Sequence, residues 1–421
     1  MTVIGVDDTD SRERGMCTTY LAAQLAARLR GRARVERSLL VRLNPAVPHK
    51  TRGNAAIAIH TDLDPESAFE IAHELIDEHA ETADQNTAPG LVVAPGEPDE
   101  VDPRVTTFAR TAVTDFHDLE ATQSLIDSVD FLQAGWKSGR GRIGAFAAVG
   151  AWTAFDDWTV EHIAYRHLDR WGTPRDVDTD SVFTAADRAY PAAWDTVDHG
   201  EAEPVCVPNT PGPVLYGIRG DDIEAVQRVA DGIDSEQTFT TEVFLANQGT
   251  DAHLQNGEIG RLEDGRAYRV TGTVAEPPRT RRGGHVFVPL ENGSHRVDCA
   301  AFEPTKRFRD RVRALRAGDR VTACGEVTEG TLKLEKFAVR SLITTEAVTP
   351  TCPDCGRRME SAGADQGYRC RDCRTTASEK VDNAIDRDLE RGWYEVPPCA
   401  RRHIAKPLIR GGFDAPVHPE R

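Results

Sequence analysis

The sequence predicts a multidomain α+β protein, with layered β/α units first, a small β-barrel next and a cysteine-bearing module last. Three observations carry this expectation. Short apolar β runs alternate with amphipathic helix patterns in the N-terminal part, the signature of a layered domain rather than a bundle. Between Tyr268 and Val339 come five short strand patterns with one helix pattern after the third. Beyond Val348 stand two C-x2-C pairs. The 421 residues suffice for about three domains. A mean hydropathy of −0.47 with 39% hydrophobic residues argues against a disordered chain, and no apolar run approaches the ~18 residues of a membrane span.

Taken in order, Val3–Val6 is a β run that ends in Asp7-Asp8-Thr9-Asp10. Thr18–Arg30 sets Leu21, Leu25 and Leu29 on one helical face. Strands are expected at Ser38–Leu43 and Ala55–Ile59, then a helix over Pro65–His79. Gln85–Pro103, rich in Pro, Gly and Asp, reads as a loop. Ala145–Val149 reads as a strand. From Pro204 to Gly220 the composition changes, and a helix (Ile223–Asp231) and a strand (Thr241–Leu245) follow, which suggests a small βαβ-type domain. The next five strands, Tyr268–Val274, His285–Leu290, Arg296–Phe302, Arg320–Val327 and Thr331–Val339, with a helix at Thr305–Arg316, have the order of an OB-fold. Such barrels commonly bind single-stranded nucleic acid. The boundaries drawn are 1–200, 201–262, 263–347 and 348–421.

Acidic residues outnumber basic ones 68 to 51, and only seven of the basic residues are lysine. This balance is like the surface of an archaeal halophile's protein, where salt screens carboxylate repulsion. The charge is uneven. Residues 301–421 hold 23 basic and 19 acidic side chains, a net of +4, whereas the first 300 carry −21. A polyanion therefore belongs on the C-terminal part. The N-terminus has no basic stretch ahead of an apolar one, so a cytoplasmic location is expected.

The most specific motif is Cys352-Pro-Asp-Cys355 with Cys370-Arg-Asp-Cys373, spaced to close four thiolates around a tetrahedral, structural Zn2+. An iron–sulfur centre is the alternative. Cys17, Cys206, Cys299, Cys324 and Cys399 read as isolated thiols. Asp7, Asp8 and Asp10, at a strand end, can hold Mg2+, which needs one or two protein oxygens plus phosphate oxygens. An Asp-rich turn on an acidic protein is the plainer reading. The Asp8/Asp10 pair also suggests haloacid-dehalogenase-type phosphatases, although Arg12 stands where those usually have Thr or Val. Gly139-Arg140-Gly141-Arg142, preceded by Lys137, can cradle phosphates with backbone N–H groups and basic side chains, or form a plain turn. Arg279, Arg281 and Arg282, between the first two barrel strands, can track a phosphate backbone or tip a solvated hairpin. The basic segment Ala400–Pro407 reads as solvated.

Ile4-Gly5-Val6-Asp7-Asp8-Thr9-Asp10-Ser11, followed by Gly15-Met16-Cys17-Thr18-Thr19, resembles the archaeal agmatinylcytidine synthetases. The resemblance continues through Arg42–Pro45, Lys50–Asn54, Gly141–Ala145, Pro213–Gly220 and Ala400–Pro407. It implies a kinase-like α/β N-terminal domain, a ferredoxin-like domain, an OB-fold and a zinc ribbon. It also implies an ATP-dependent ligase that attaches agmatine to the wobble cytidine of the CAU-anticodon isoleucine tRNA, with ATP consumed to AMP. On that resemblance Asp7, Asp8 and Asp10 organise Mg2+ and ATP, and Thr18 is the threonine that becomes phosphorylated. Lys137, Gly139, Arg140, Gly141 and Arg142 are the candidates for the triphosphate. Arg52, Asn54, Pro211, Tyr216 and Arg219 are assigned to substrate, with agmatine near Pro211–Arg219, and Arg279, Arg281 and Arg282 to RNA. No obligate protein partner is expected. A non-catalytic single-strand-binding protein and a metal-dependent phosphatase are the competing readings.

Overall fold

A computed structural model of the chain describes residues 1–11, 13, 15–50 and 53–421. The N-terminal half is organised on one nine-stranded sheet. Its first strand, β1 (Thr2–Asp7), alternates Val3 toward one face with Ile4 and Val6 toward the other. α1 (Thr18–Arg30) follows and lays Leu21, Leu25 and Leu29 on the Ile4 face. β2 (Val35–Arg42) and β3 (Ala55–Thr61) form an antiparallel pair, and β1 runs antiparallel to β3. α2 (Pro65–His79) starts at Asp64, whose carboxylate accepts from the Ser67 amide at 2.8 Å, with proline in its first turn. Its buried Leu75 and Ile76 complete that face.

Two expectations fail in the next segment. The stretch read as a loop contains β4 (Gly90–Pro95), which pairs with β1 in the register Val6↔Leu91. Leu91, Val92, Val93 and Ala94 are fully buried; the Pro and Gly residues around them punctuate a short strand. After α3 (Pro103–Ala112), α4 (Leu119–Ser128) and β5 (Leu132–Gly135), the run read as a strand forms α5 (Arg142–Val149). A short apolar run has no period that separates a buried strand from a buried helix. α5 packs against β1 with its Ala and Gly surface: a Cβ at Gly5 would lie 2.1 Å from the Ala145 carbonyl oxygen. α1 and α2 thus cover one face of the sheet, and α3 and α5 the other.

The short α6 (Ala151–Ala154) leads to β6 (Thr159–Arg166), α7 (Thr179–Ala189), β7 (Ala193–Trp194), β8 (Val214–Gly220), α8 (Ile223–Asp231) and β9 (Thr238–Ala246). This β-α-β-β-α-β series forms the sheet order β9-β6-β8-β7, and β9 joins β2 in parallel at Leu39↔Leu245. A division at residue 200 therefore separates β6 and α7 from the strands and helix they pack against. The Pro-rich change of composition near 204 marks a loop inside this unit.

The next strands are β10 (Leu254–Asn256), β11 (Ala267–Val274), β12 (Arg279–Thr280), β13 (Val286–Asn292) and β14 (His295–Ala301). With α9 (Phe308–Arg313), β15 (Arg320–Thr328) and β16 (Thr331–Ser341), the strands β11, β13 and β14 build a five-strand barrel, while β10 pairs with β11 and β12 with β13. Its strands pair in the closed order β11-β13-β14-β16-β15, with β15 returning to β11. The helix sits after the third barrel strand, as the pattern predicts.

A separate ribbon module begins with β17 (Thr345–Val348) and carries β18 (Glu360–Ser361), β19 (Tyr368–Arg369) and β20 (Thr376–Ala377). It closes with β21 (Val381–Ala384), which pairs with β17. The chain then returns. β22 (Gly392–Glu395) adds to β16 of the barrel and is followed by β23 (Val417–His418). The module drawn as 348–421 is thus two parts. The basic segment read as solvated is largely built in: Ile404 and Ala405 are buried, and Arg401 pairs with Asp195 at 2.8 Å and with Glu395. Its cations are neutralised by buried acids of the neighbouring units, which an isolated tail sequence does not reveal.

Candidate functional site

A cavity of about 500 Å3 opens where β1, α1, α5, β6 and the 205–214 loop meet. Its floor is the strand end that carries Asp7 and Asp8. Asp8 takes φ +58°, and its Oδ2 accepts the Ala88 amide at 3.1 Å and Arg140 Nη2 at 2.8 Å. Burial raises the Asp7 carboxyl well above the ordinary range, and the adjacent Asp8 charge adds to this. Burial also lifts Asp8, to about 6, although Arg140 opposes it. Gly144 of α5 makes the close packing of Asp7 possible: a Cβ there would lie 1.9 Å from Asp7 Oδ2.

The first turn of α1 meets this floor. Thr18 is buried and accepts the Thr9 hydroxyl at 3.2 Å, and no acidic side chain stands in that turn. Arg140 also donates to the Asn86 carbonyl at 2.6 Å, which fixes it beside Asp8. On the far wall Glu161, 4% exposed at the centre of β6, lies 3.4 Å from Arg219 and 3.8 Å from Arg42. Burial pulls the Arg42 guanidinium down, opposed by Glu161. The loop that closes this side is held by Arg175, which donates to the Val214 and Thr210 carbonyls at 2.8 Å each.

Nine of the residues singled out in the sequence line this one cavity: Asp7, Asp8, Asp10, Thr18, Asn54, Arg140, Gly141, Pro211 and Arg219. The others stand elsewhere. Lys137 donates to the Asp84 carbonyl at 2.6 Å beside the acid loop, and Gly139 forms the turn at φ +65°. Arg142 is turned into the protein, onto the Gly139 carbonyl (3.1 Å), Gln133 (3.2 Å) and Gln123. Its guanidinium is thus engaged between α4 and β5 and does not line the cavity. Tyr216 is buried among Val226 and Val229 rather than facing the cavity. Arg279 lies exposed in β12, and Arg281 and Arg282 on the exposed loop between β12 and β13, with the Arg281 guanidinium 3.9 Å over the Phe287 ring. Arg52 lies outside the described residues.

Sequence reasoning missed Arg42, Glu161 and Arg175 as site residues. Glu161 is an acid within a strand whose eight residues are all buried, which only the fold shows. Arg42 stood within a matched segment.

The four ribbon cysteines converge. One sulfur from each of Cys352, Cys355, Cys370 and Cys373 lies within 4.8 Å of the others, the only such ligand group of three or more among the described residues. Each pair closes a similar turn, with Gly356 N to Cys352 O at 2.9 Å and Arg374 N to Cys370 O at 3.0 Å. Four thiolates in this arrangement fit a closed tetrahedral Zn2+ site.

Comparison with known proteins agrees with this layout. Family models described as the TiaS TCKD domain, the TiaS FLD domain and the TiaS C-terminal zinc ribbon domain match residues 3–138, 139–253 and 349–389. The isoleucine-tRNA 2-agmatinylcytidine synthetase TiaS of Haloquadratum walsbyi is 55% identical over the full length of both chains. The crystal structure of TiaS in complex with its isoleucine tRNA and ATP is similar with a TM-score of 0.89 at 41% identity, over 100% of this chain and 99% of that one. A complex of TiaS with the same tRNA, AMPCPP and agmatine matches with a TM-score of 0.86 at 38% identity, over the same shares. The chain belongs to the TiaS family, the isoleucine-tRNA 2-agmatinylcytidine synthetases.

Proposed function

We propose that this protein is a cytoplasmic ATP-dependent ligase that attaches agmatine to the wobble cytidine of the CAU-anticodon isoleucine tRNA. The observation that carries the reading is a single cavity that joins a buried acid floor, the first turn of α1 and the 205–214 loop, in a chain so similar to tRNA-, ATP- and agmatine-bound relatives. Cytosine's 2-oxygen is a poor leaving group. A phosphoryl group of ATP is transferred to that oxygen; the agmatine amine then attacks C2, and phosphate departs with the former carbonyl oxygen. The cytidine must leave its stack to reach the cavity. The product base pairs with A rather than G, so the tRNA reads AUA. AMP is the nucleotide product in this reading: of the two phosphoryl groups that ATP gives up, one goes to the cytosine oxygen and the other to the Thr18 hydroxyl, from which water later releases it as phosphate.

Asp7, Asp8 and Asp10 are the residues that would hold Mg2+. Their hard oxygens suit it, and two buried carboxylates with raised proton affinity form a site that a cation would stabilise. Mg2+ held by these carboxylates would supply neutralisation of the charge on a transferring phosphoryl group. Arg140 orients Asp8 and stands ready for phosphate oxygens. Thr18 presents its hydroxyl at the start of α1, where the helix dipole tolerates negative charge once it is phosphorylated. The wall around Pro211 and Arg219 receives agmatine, and the ribbon's Zn2+ is structural.

The test is retention of labelled agmatine on CAU-anticodon isoleucine tRNA in high KCl with Mg2+ and ATP. Incorporation that vanishes with Asp8→Ala and with a changed wobble base supports the reading. Failure of the wild-type protein to incorporate label, while folded and bound to tRNA, refutes it.

A further inference from the structure

Phe116 stands out at the cavity. It is 51% exposed and, among the described residues, the one exposed large hydrophobic side chain that lines this cavity. The proposed chemistry gives it no role. Its surroundings hold the ring in place. The neighbouring Asp115 accepts from Thr114 at 2.9 Å and pairs with Arg266 of the barrel at 2.7 Å. Asn44 reaches across the same seam, donating from Nδ2 to the Gly265 carbonyl at 3.0 Å while its amide takes the Ala112 carbonyl at 3.0 Å. The ring edge lies against Gly265, where a Cβ would come within 2.7 Å of two ring carbons. Gly265 has φ +79°, so the approach is built into a turn that favours glycine. An aromatic ring fixed at its edge and left half open costs hydrophobic free energy in the isolated protein. Such a ring beside a cavity suits a flat partner, and nucleobases stack on aromatic side chains in this way.

We propose that Phe116 is a stacking platform for a base of the tRNA anticodon loop, and that it positions the RNA at the cavity without taking part in the chemistry. The inference rests on the reading of this cavity as the place where the wobble cytidine reacts. The stacked base is the extruded cytidine itself or the nucleotide on its 3′ side; both offer the same π-face. In either case the seam between the N-terminal unit and the barrel, which Asp115–Arg266 and Asn44–Gly265 hold together, sets the height at which the base lies. Stacking adds affinity for the RNA and leaves the ATP site untouched.

The experiment compares wild type with Phe116→Ala, Phe116→Leu and Phe116→Trp, measuring tRNA Kd, the KM for tRNA, kcat and ATP affinity in high KCl. Loss of one stack is expected to weaken tRNA binding roughly 10- to 100-fold. Phe116→Ala and Phe116→Leu should both show this, and Phe116→Trp should restore binding, with ATP affinity unchanged throughout. Leu keeps an apolar side chain against Gly265, so a defect shared by Ala and Leu but rescued by Trp is a loss of π-stacking rather than of packing. The Ala penalty is then remeasured on tRNAs abasic at the wobble position or at its 3′ neighbour. Its disappearance with one of them identifies the stacked base. Persistence with both, or equal tRNA affinity in wild type and Phe116→Ala, overturns the proposal. Because wild-type incorporation is scored in the same assay, failure of the broader functional reading is seen separately as no label with any protein.

Discussion

At the scale of single residues, the floor of the cavity depends on an absence. Gly144 has no side chain because Asp7 occupies that volume, and the Cβ of an alanine would meet the carboxylate at 1.9 Å. Gly144→Ala is expected to displace Asp7 and cost about 1–3 kcal/mol of stability through overpacking. It should also lower agmatine incorporation by at least about tenfold, as misplacement of a reacting group does, while tRNA affinity stays within about twofold. Thermal melts, turnover and binding check the three together. A variant with wild-type turnover would show that Asp7 need not hold this position. The acids themselves were legible in the sequence because Asp7-Asp8-Thr9-Asp10 ends a strand. Glu161 was not, because what makes it a site residue is its placement between Arg42 and Arg219, contributed by two other strands. Arg142 illustrates the reverse: it sits in a glycine-rich loop that reads as a phosphate cradle, and only the fold shows its guanidinium turned to Gln123 and Gln133.

At the scale of elements, the β-α-β-β-α-β unit has its own electrostatic lock. Arg166, fully buried at the end of β6, donates to both oxygens of Glu236 at 2.7 and 2.8 Å, and Arg170 adds a contact at 3.3 Å. These hydrogen bonds, Arg166 first, hold the Glu236 carboxyl down at about 2, against an ordinary 4.5. A carboxylate with a depressed folded-state pKa stabilises the fold above its unfolded value and loses that contribution as pH falls toward the folded one. Between about pH 4.5 and 2 the protein should therefore lose about 2 kcal/mol from this group, after allowance for solvent screening. Glu236→Gln should remove that part of the acid dependence and destabilise the protein at neutral pH. Denaturation across that pH range checks both, and parallel curves for the two proteins would show that the lock contributes nothing. The elements legible in the sequence were those with a clear period or cap, such as α1, α2, α8 and the barrel strands. β4 and α5 were not, because both are short apolar runs buried on all sides, and only their neighbours decide between strand and helix.

At the scale of the whole molecule, the question is how a chain of net charge −17 holds a polyanion. The units are joined by ion pairs that cross the seams: Lys336 with Asp251 at 2.7 Å, Arg410 with Asp221 at 2.6 Å, and Arg307 with Asp198 at 2.9 Å. Many basic side chains of the C-terminal part are thereby spent on the protein's own acids. The net of +4 read from the sequence overstates the cations open to RNA, since no count of residues tells which of them are paired. The β12–β13 hairpin differs: Arg281 and Arg282 stand exposed on its loop, and Arg279, exposed in β12, pairs among the described residues only with the surface acid Glu276. In molar salt the Debye length falls to about 3 Å, so any phosphate contact must be short-ranged and direct. Replacing these three arginines by glutamine should weaken tRNA binding and flatten the dependence of log K on log salt by roughly one unit for each phosphate no longer neutralised. ATP affinity should be unchanged, since the loop lies outside the cavity. Titration of tRNA binding from low to molar KCl makes the measurement. An unchanged slope in the triple variant would remove the loop from the RNA interface and turn attention to interactions that carry no net charge, such as base stacking.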